Sequence, residues 1–453
     1  MTLPTTTDTS STPTTSTGSP ATAAGPDGCG CPEFARAGGP GGMSRRGFLA
    51  ASGLGAAATF ALGSSPAEAA TQLTFADAGY TGDTLVVLSF RGGFDGLTAV
   101  APVGDPAYYT ARPNIAVPQS RGLKLDTRFA LHPALAPLLP LYTSGRLAMV
   151  HAVGQPNPTR SHFTDMDEME RAAPGSSLRT GWLDRMVGAT TTPGPFAATS
   201  LASTSSPRSL MGPTVELAMR SLDSFELAGA WDANEMTRWT KALSALHVGA
   251  PAQLATPAEV AIGTVATTTA MTATPYTPAG GAAYPYGALG DALRDAARLI
   301  KAGVGLRAVT IDSGNWDMHV NLGRSDGGWM YNQLTEVGKA LAAFNADLGA
   351  AGDRVTLVTL SEFGRRVAEN GSGGVDHGYG NVSFVMGGGV NGGKVYGTWP
   401  GLTSDKLLAG DLNATTDYRI VLGEILEKRC GLTASTVLPG LPSTRLGIAK
   451  PRS

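Results

Sequence analysis

Five short runs of the chain, residues 84–88, 146–152, 306–311, 355–360 and 382–386, are apolar and rich in Val or Leu. A strand with one wet face alternates polar and apolar residues, whereas continuous apolar runs suit strands covered on both faces. Helical patterns lie between them, at 133–143, 164–172, 178–187, 233–246, 289–302 and 328–348. Strand and helix in alternation imply right-handed crossovers, and so an α/β chain with a mostly parallel central sheet. Residues 190–285 are less regular, with Thr/Ala/Pro-rich segments around one helical patch, and are read as an inserted cap. No internal repeat at solenoid spacing is apparent.

The first 42 residues are almost entirely Thr, Ser, Pro, Ala and Gly, with too little apolar surface to offset chain entropy, and are expected to be disordered. Residues 43–69 follow with Arg45-Arg46, a short Gly/Ala-rich apolar run and the small-residue site Ala67-Glu68-Ala69. That order is the order of a signal peptide, and the arginine pair before Gly47-Phe48-Leu49 gives it the form of a twin-arginine signal. The expectation is export by the twin-arginine machinery to the periplasm, cell envelope or medium, with no stable membrane span after cleavage. Residues 70–453 then form the mature domain. A formal charge of −2 without a basic cluster argues against a nucleic-acid partner. Cys29 and Cys31 precede the signal, so Cys430 alone remains and makes no internal disulfide.

In an open parallel sheet, ligands bind beyond the carboxyl ends of the strands. Four such ends carry related chemistry here. "RGGFDG" follows the first run and presents Asp95 behind Gly92-Gly93; "DSGNWDMHVN" holds Asp312, Asp317 and His319; "SEFGRR" places Glu362 at a strand end; "GSGGVDHGYGN" supplies Asp376 and His377. Carboxylates and imidazoles arriving from separate strand ends are the ligands a divalent metal takes. Mixed ligation suits zinc, manganese or iron, and an all-oxygen position suits calcium or magnesium. Alternatively, Asp95 makes an Asx turn, Asp317 orients His319 from behind, and the imidazoles hydrogen-bond within polar loops. Asp165, Asp167, Glu168 and Glu170 are read as a solvated first turn of helix, and His132 as a helix start. Arg91 and Arg160 are candidate clamps for an anionic substrate or, equally, surface ion pairs.

The order of Asp95-Gly96, the unit "HPALAPLLPLYTSGRLAMVHAVGQPNPTRSHFTDMDEME", the Asp312 to His319 cluster, Glu362 and Asp376-His377-Gly378 resembles the alkaline phosphatase and sulfatase superfamily. More closely, "SEFGRRVAENGSGGVDHGYGN" and "MGGGVNGGKVYGTWPGL", with the twin-arginine start, resemble the secreted bacterial proteins of domain of unknown function 1501, over residues 84–453. The resemblance implies an alkaline phosphatase-like three-layer α/β/α sandwich and metal-assisted hydrolysis of small phosphate or sulfate esters. It implies one metal at Asp312, His319 and His377 and a second around Asp95 and Glu362, where Phe363 stands at the place of an expected histidine. In "PNPTR", Pro156 occupies the place of the sulfatase cysteine and cannot attack an ester. Ser161, just before a helix start, is the candidate nucleophile, with a loop or capping serine as the other reading. The opposing functional expectation is a non-catalytic secreted binding protein that retains the fold.

Overall fold

The structure, a computed structural model, describes residues 80–452 apart from 191–193 and 231. The expectations for residues 1–42 and 43–69 fall outside that range. Nine strands form the central sheet: β1 (Thr84–Phe90), β2 (Leu147–Gly154), β3 (Ala198–Leu201), β4 (Leu217–Met219), β5 (Ala308–Ser313), β6 (Val355–Leu360), β7 (Asn381–Gly387), β8 (Val395–Tyr396) and β9 (Thr416–Asp417). Their order is β8-β2-β7-β6-β1-β5-β3-β4, and β9 also pairs β2. All five expected strands are present, and the sheet is mostly parallel.

Side chains of successive strand residues point to opposite faces, so each buried strand feeds two cores. Val86, Leu88 and Phe90 of β1 enter one, against α5 (Ala288–Ala302) and α6 (Trp329–Leu348); Leu85 and Val87 enter the other, against α2 (Trp182–Gly188) and α7 (Tyr418–Lys428). Helices thus cover both sheet faces, which is why the strands read as continuous apolar runs. The stretch expected to be a cap contributes more than a cap: β3 and β4 extend the sheet, β3 pairing in parallel with β5. The rest of it includes the helices α3 (Ala233–His247) and α4 (Ala252–Thr272), of which α3 buries no residue. Among the described residues no helix is long and apolar enough to cross a membrane.

One departure from parallel order builds the site. Strand β7 runs antiparallel to both neighbours, β6 and β2. Because β6 and β7 are also consecutive in the chain, the loop of residues 361–380 leaves and re-enters the sheet at the same edge, the carboxyl edge of β1, β2, β5 and β6. The strand-end loops found in the sequence therefore share this edge of the sheet.

Beneath this edge, a small sheet of Val100–Ala101, Leu123–Lys124 and Ala130–Leu131 holds two buried imidazoles. His151 Nδ1 accepts the Ala152 N–H at 2.9 Å, its Nε2 donates to the Val100 carbonyl at 3.0 Å, and the ring stacks on Phe129. His132 begins a helical turn as expected, its Nδ1 accepting the Ala134 N–H at 3.2 Å. Burial pushes both imidazoles down to about 4. The unfolded chain takes up these protons first, so stability is expected to fall as pH drops from about 6.5 towards 4. Urea midpoints measured across that window, compared with His151→Gln, check it: an equal pH slope in the variant would exclude His151 as a source.

Candidate metal centre

The helix α1 (His162–Arg171) follows β2 after a loop of residues 155–161, and its start is shaped by its own first turn. Asp165, expected to be solvated, is buried and accepts hydrogen bonds from the Thr159 N–H, the Thr159 hydroxyl and the Arg160 N–H, the last at 2.8 Å. This folds residues 159–160 back and holds Arg160 at φ +62°, unusual for a side chain with Cβ. The Arg160 carbonyl consequently accepts from His377 Nδ1 at 2.9 Å. Ser161 caps α1, its Oγ accepting the Thr164 N–H at 3.5 Å, and His162 is the first helical residue.

Three imidazoles converge. His162 Nε2 and His319 Nε2 each lie 3.0 Å from His377 Nε2. Asp317 Oδ1 is 3.0 Å from His319 Nε2, 3.4 Å from His377 Nε2 and 3.6 Å from His162 Nε2. His162, Asp317 and His377 each offer one ligand atom, all within 4.8 Å of one another, and His319 adds a fourth contact on the Asp317 and His377 side. The rear nitrogen of every ring is occupied: His162 Nδ1 by Glu362 Oε1 at 2.7 Å, His319 Nδ1 by Asp376 Oδ1 at 3.0 Å, His377 Nδ1 by the Arg160 carbonyl. A carbonyl or carboxylate there only accepts, so Nδ1 carries the hydrogen and Nε2 offers a lone pair. Lone pairs 3.0 Å apart repel unless a cation lies between them. Tetrahedral ligands at metal–nitrogen distances of about 2.0 Å stand roughly 3.3 Å apart, within the observed spread. The donor set and its spacing fit a divalent metal.

Without a metal, a proton must fill that role. Burial works against charge on His162, but hydrogen bonds to Asp317 and Glu362 prevail and raise it to about 9. For His319, the Asp317 hydrogen bond raises the pKa against burial. The same bonds hold their partners ionised: Glu362 stays low despite complete burial because of His162, and Asp376 is lowered by His319.

Close approach of the loops is what the glycine pair after β1 provides. A Cβ on Gly92, at φ +110°, would stand 2.8 Å from the Asp317 nitrogen, and one on Gly93, at φ +65°, 2.6 Å from the Phe363 ring. Phe363 packs on His162 and His377 with ring centroids 4.8 Å away in each case, so the residue at the expected histidine position is an apolar wall beside two imidazoles.

Of the residues expected to hold metal, His319 and His377 meet at the cluster. Glu362 does not face it with a free oxygen: Oε1 takes the His162 ring and the Gly92 N–H, and Oε2 takes the Ser361 hydroxyl, so it orients a ligand from behind. Asp95 and Asp312 are not brought there. Asp95 is buried in a bidentate pair with Arg112, 2.6 and 2.9 Å, and also accepts from Thr98. Asp312 pairs with Arg91 at 2.9 Å, and Arg91 also grips Glu170. The Arg160 side chain pairs with Asp411. Sequence reading left His162 and Asp317 outside the principal ligand set. The signal that could have found His162 is its place after β2, at the same sheet edge as the other histidines; Asp317 already lay two residues from His319.

These features define a mostly parallel α/β protein carrying a His/Asp cluster at the carboxyl edge of its sheet. The chain belongs to the family described as "Protein of unknown function (DUF1501)", whose model it matches over residues 83–423. No curated protein matches it. Among solved structures it is similar to the lipoteichoic acid synthase LtaP from Listeria monocytogenes, at 10% identity and a TM-score of 0.28 over 76% of each chain, a distant likeness from which nothing about activity follows.

If Glu362 sets the His162 ring from behind, Glu362→Gln weakens metal binding about 10- to 100-fold while the fold is kept. Competition against a chelator of known affinity, with circular dichroism as the folding control, measures this; unchanged affinity would remove Glu362 from the centre.

Proposed function

We propose that the chain is an exported, metal-dependent hydrolase of anionic esters, phosphate or sulfate, with the metal held by His162, Asp317, His319 and His377. The observation that carries this reading is the set of three imidazoles whose Nδ1 atoms are fixed by oxygens while their Nε2 atoms gather around one carboxylate. A bound divalent metal supplies Lewis acidity toward the ester oxygens and toward water. Glu362 and Asp376 draw on the Nδ1 protons of His162 and His319, which makes the facing nitrogens better donors. Arg365 fixes Asp317 by a 2.6 Å bond, and Phe363 keeps water from the flank of two rings. Ser161 lies beside His162 and, among the described residues, its hydroxyl makes the long capping contact alone, so it stays the side-chain nucleophile of this reading.

A second reading, a binding protein without turnover, draws on the pairing of Asp95 with Arg112 and of Asp312 with Arg91. Residues expected around two metals are thereby neutralised by guanidinium groups. Elemental mass spectrometry of the purified protein and of His377→Ala, run with chromogenic phosphate and sulfate esters, separates the two. Hydrolysis predicts near-stoichiometric metal, lost in the variant together with turnover. Metal without turnover of any ester favours the binding protein, and absence of metal after loading overturns the centre. In an active protein, loss of turnover in Ser161→Ala at unchanged metal content assigns the nucleophile, and retention assigns attack to water.

Export rests on Arg45-Arg46 ahead of the apolar run. Replacing both by Lys is expected to hold the protein in the cytoplasm, read by fractionation and immunoblot; unchanged export would exclude the twin-arginine route.

A further inference from the structure

Two arginines beside the histidine cluster share one carboxylate. Asp411 is fully buried, and Arg160 reaches its Oδ2 through Nε at 2.8 Å and also through Nη2. Arg366 approaches Oδ1 through Nε at 3.7 Å, and its Nη2 donates to the Ala409 carbonyl at 3.2 Å. Among the described residues Asp411 Oδ1 has no hydrogen-bond partner of good geometry, so its two arginine neighbours leave this carboxylate less than satisfied. Asp411 is the carboxylate both guanidinium groups approach, and Asp376, whose oxygen is taken by His319 Nδ1, lies within electrostatic range of Arg366 as well.

Both arginines are tied through their backbones to the cluster. The Arg160 carbonyl accepts from His377 Nδ1, and the Arg366 N–H donates to the Asp376 carbonyl at 2.9 Å, one residue before His377. Their side chains are 36% and 40% exposed, so each is anchored on Asp411 while part of it meets solvent. The remaining arginines of the site differ in this respect. Arg365 is wholly buried and Arg91 is held between two carboxylates. A guanidinium held at one edge by a buried carboxylate is preorganised to take two oxygens of a tetrahedral anion along another edge, at little further entropy cost.

We infer that Arg160 and Arg366, braced on Asp411, form the anion-receiving side of the metal centre and select esters that end in a tetrahedral oxyanion with three unesterified oxygens, two for a guanidinium fork and one for the metal. The inference rests on the hydrolase reading and deepens it. It restricts the substrates to phosphate and sulfate monoesters, which keep enough unesterified oxygens to meet a fork and a metal together, and disfavours uncharged esters.

The test is calorimetric binding of inorganic phosphate and, separately, inorganic sulfate to the full chain, its metal content measured on the same sample. Arg160→Gln and Arg366→Gln are each expected to weaken binding about tenfold or more, the loss of a charge-assisted hydrogen bond, with metal content unchanged. Arg366→Lys keeps the charge without the fork and is expected to restore only part of the affinity. The comparison of phosphate with sulfate identifies which anion the fork prefers. Affinity within about twofold of the parent in both Gln variants, at unchanged metal content and circular dichroism, would overturn the inference, as would failure of the parent to bind either anion. Should the parent hold no metal, the hydrolase reading fails by that measurement, while loss of anion binding in the Gln variants still supports the fork. If Arg366→Gln does not fold, Arg160→Gln and Arg366→Lys decide.

Discussion

The Arg365 guanidinium is the contact on which the candidate site depends. It is completely buried, and it donates to the carbonyls of Gly92, Gly93, Trp316 and Val375 and to Asp317 Oδ1. Those acceptors belong to three loops, after β1, after β5 and between β6 and β7. The three nitrogens of a planar guanidinium join loops that share no local sequence, Nη2 sharing its two hydrogens among three acceptors, and a lysine could not satisfy the same set. Because one of the acceptors is Asp317, the scaffold contact also sets the carboxylate about which the histidines gather.

Charge around this point is arranged in two ways. Some carboxylates meet a guanidinium directly, as Asp95 meets Arg112, and leaving either partner buried and alone would cost about 3 to 5 kcal/mol. Such pairs hold the turn after β1 and use up the oxygens that a metal would need. Others meet an imidazole, as Glu362 meets His162 and Asp376 meets His319, and transmit their charge through a ring to the far nitrogen. The distinction separates carboxylates that hold the fold from those that tune the centre, and it cannot be read from residue type, since aspartates and glutamates occur in both groups.

Much of the architecture was legible in the chain. Val/Leu-rich runs identified β1, β2, β5, β6 and β7, because strands covered on both faces carry few polar positions, and those present, such as Thr359 and Ser383, are buried and hydrogen-bonded to the neighbouring strand. The short β3 and β4 escaped notice within a Thr/Ala/Pro-rich stretch, where three- or four-residue strands carry almost no periodic signal. The site was half legible. His319 and His377 stand in polar loops after strands and were found there, whereas His162 stands at a helix start, where an imidazole next to a capping serine has a sufficient local explanation.

The sequence by itself determined that strands would be buried on both faces and that acids and histidines would gather at their carboxyl ends, since both follow from local composition and from the direction of a parallel sheet. Only the tertiary structure decided which of those groups face one another. That choice turns on the reversal of β7, which returns the 361–380 loop to the same edge, and on long-range partners such as Arg112 for Asp95 and Glu362 for His162. A carboxylate becomes an orienting group or half of an ion pair according to the nearest opposite charge in space, and for His162 that partner, Glu362, lies 200 positions away in the chain.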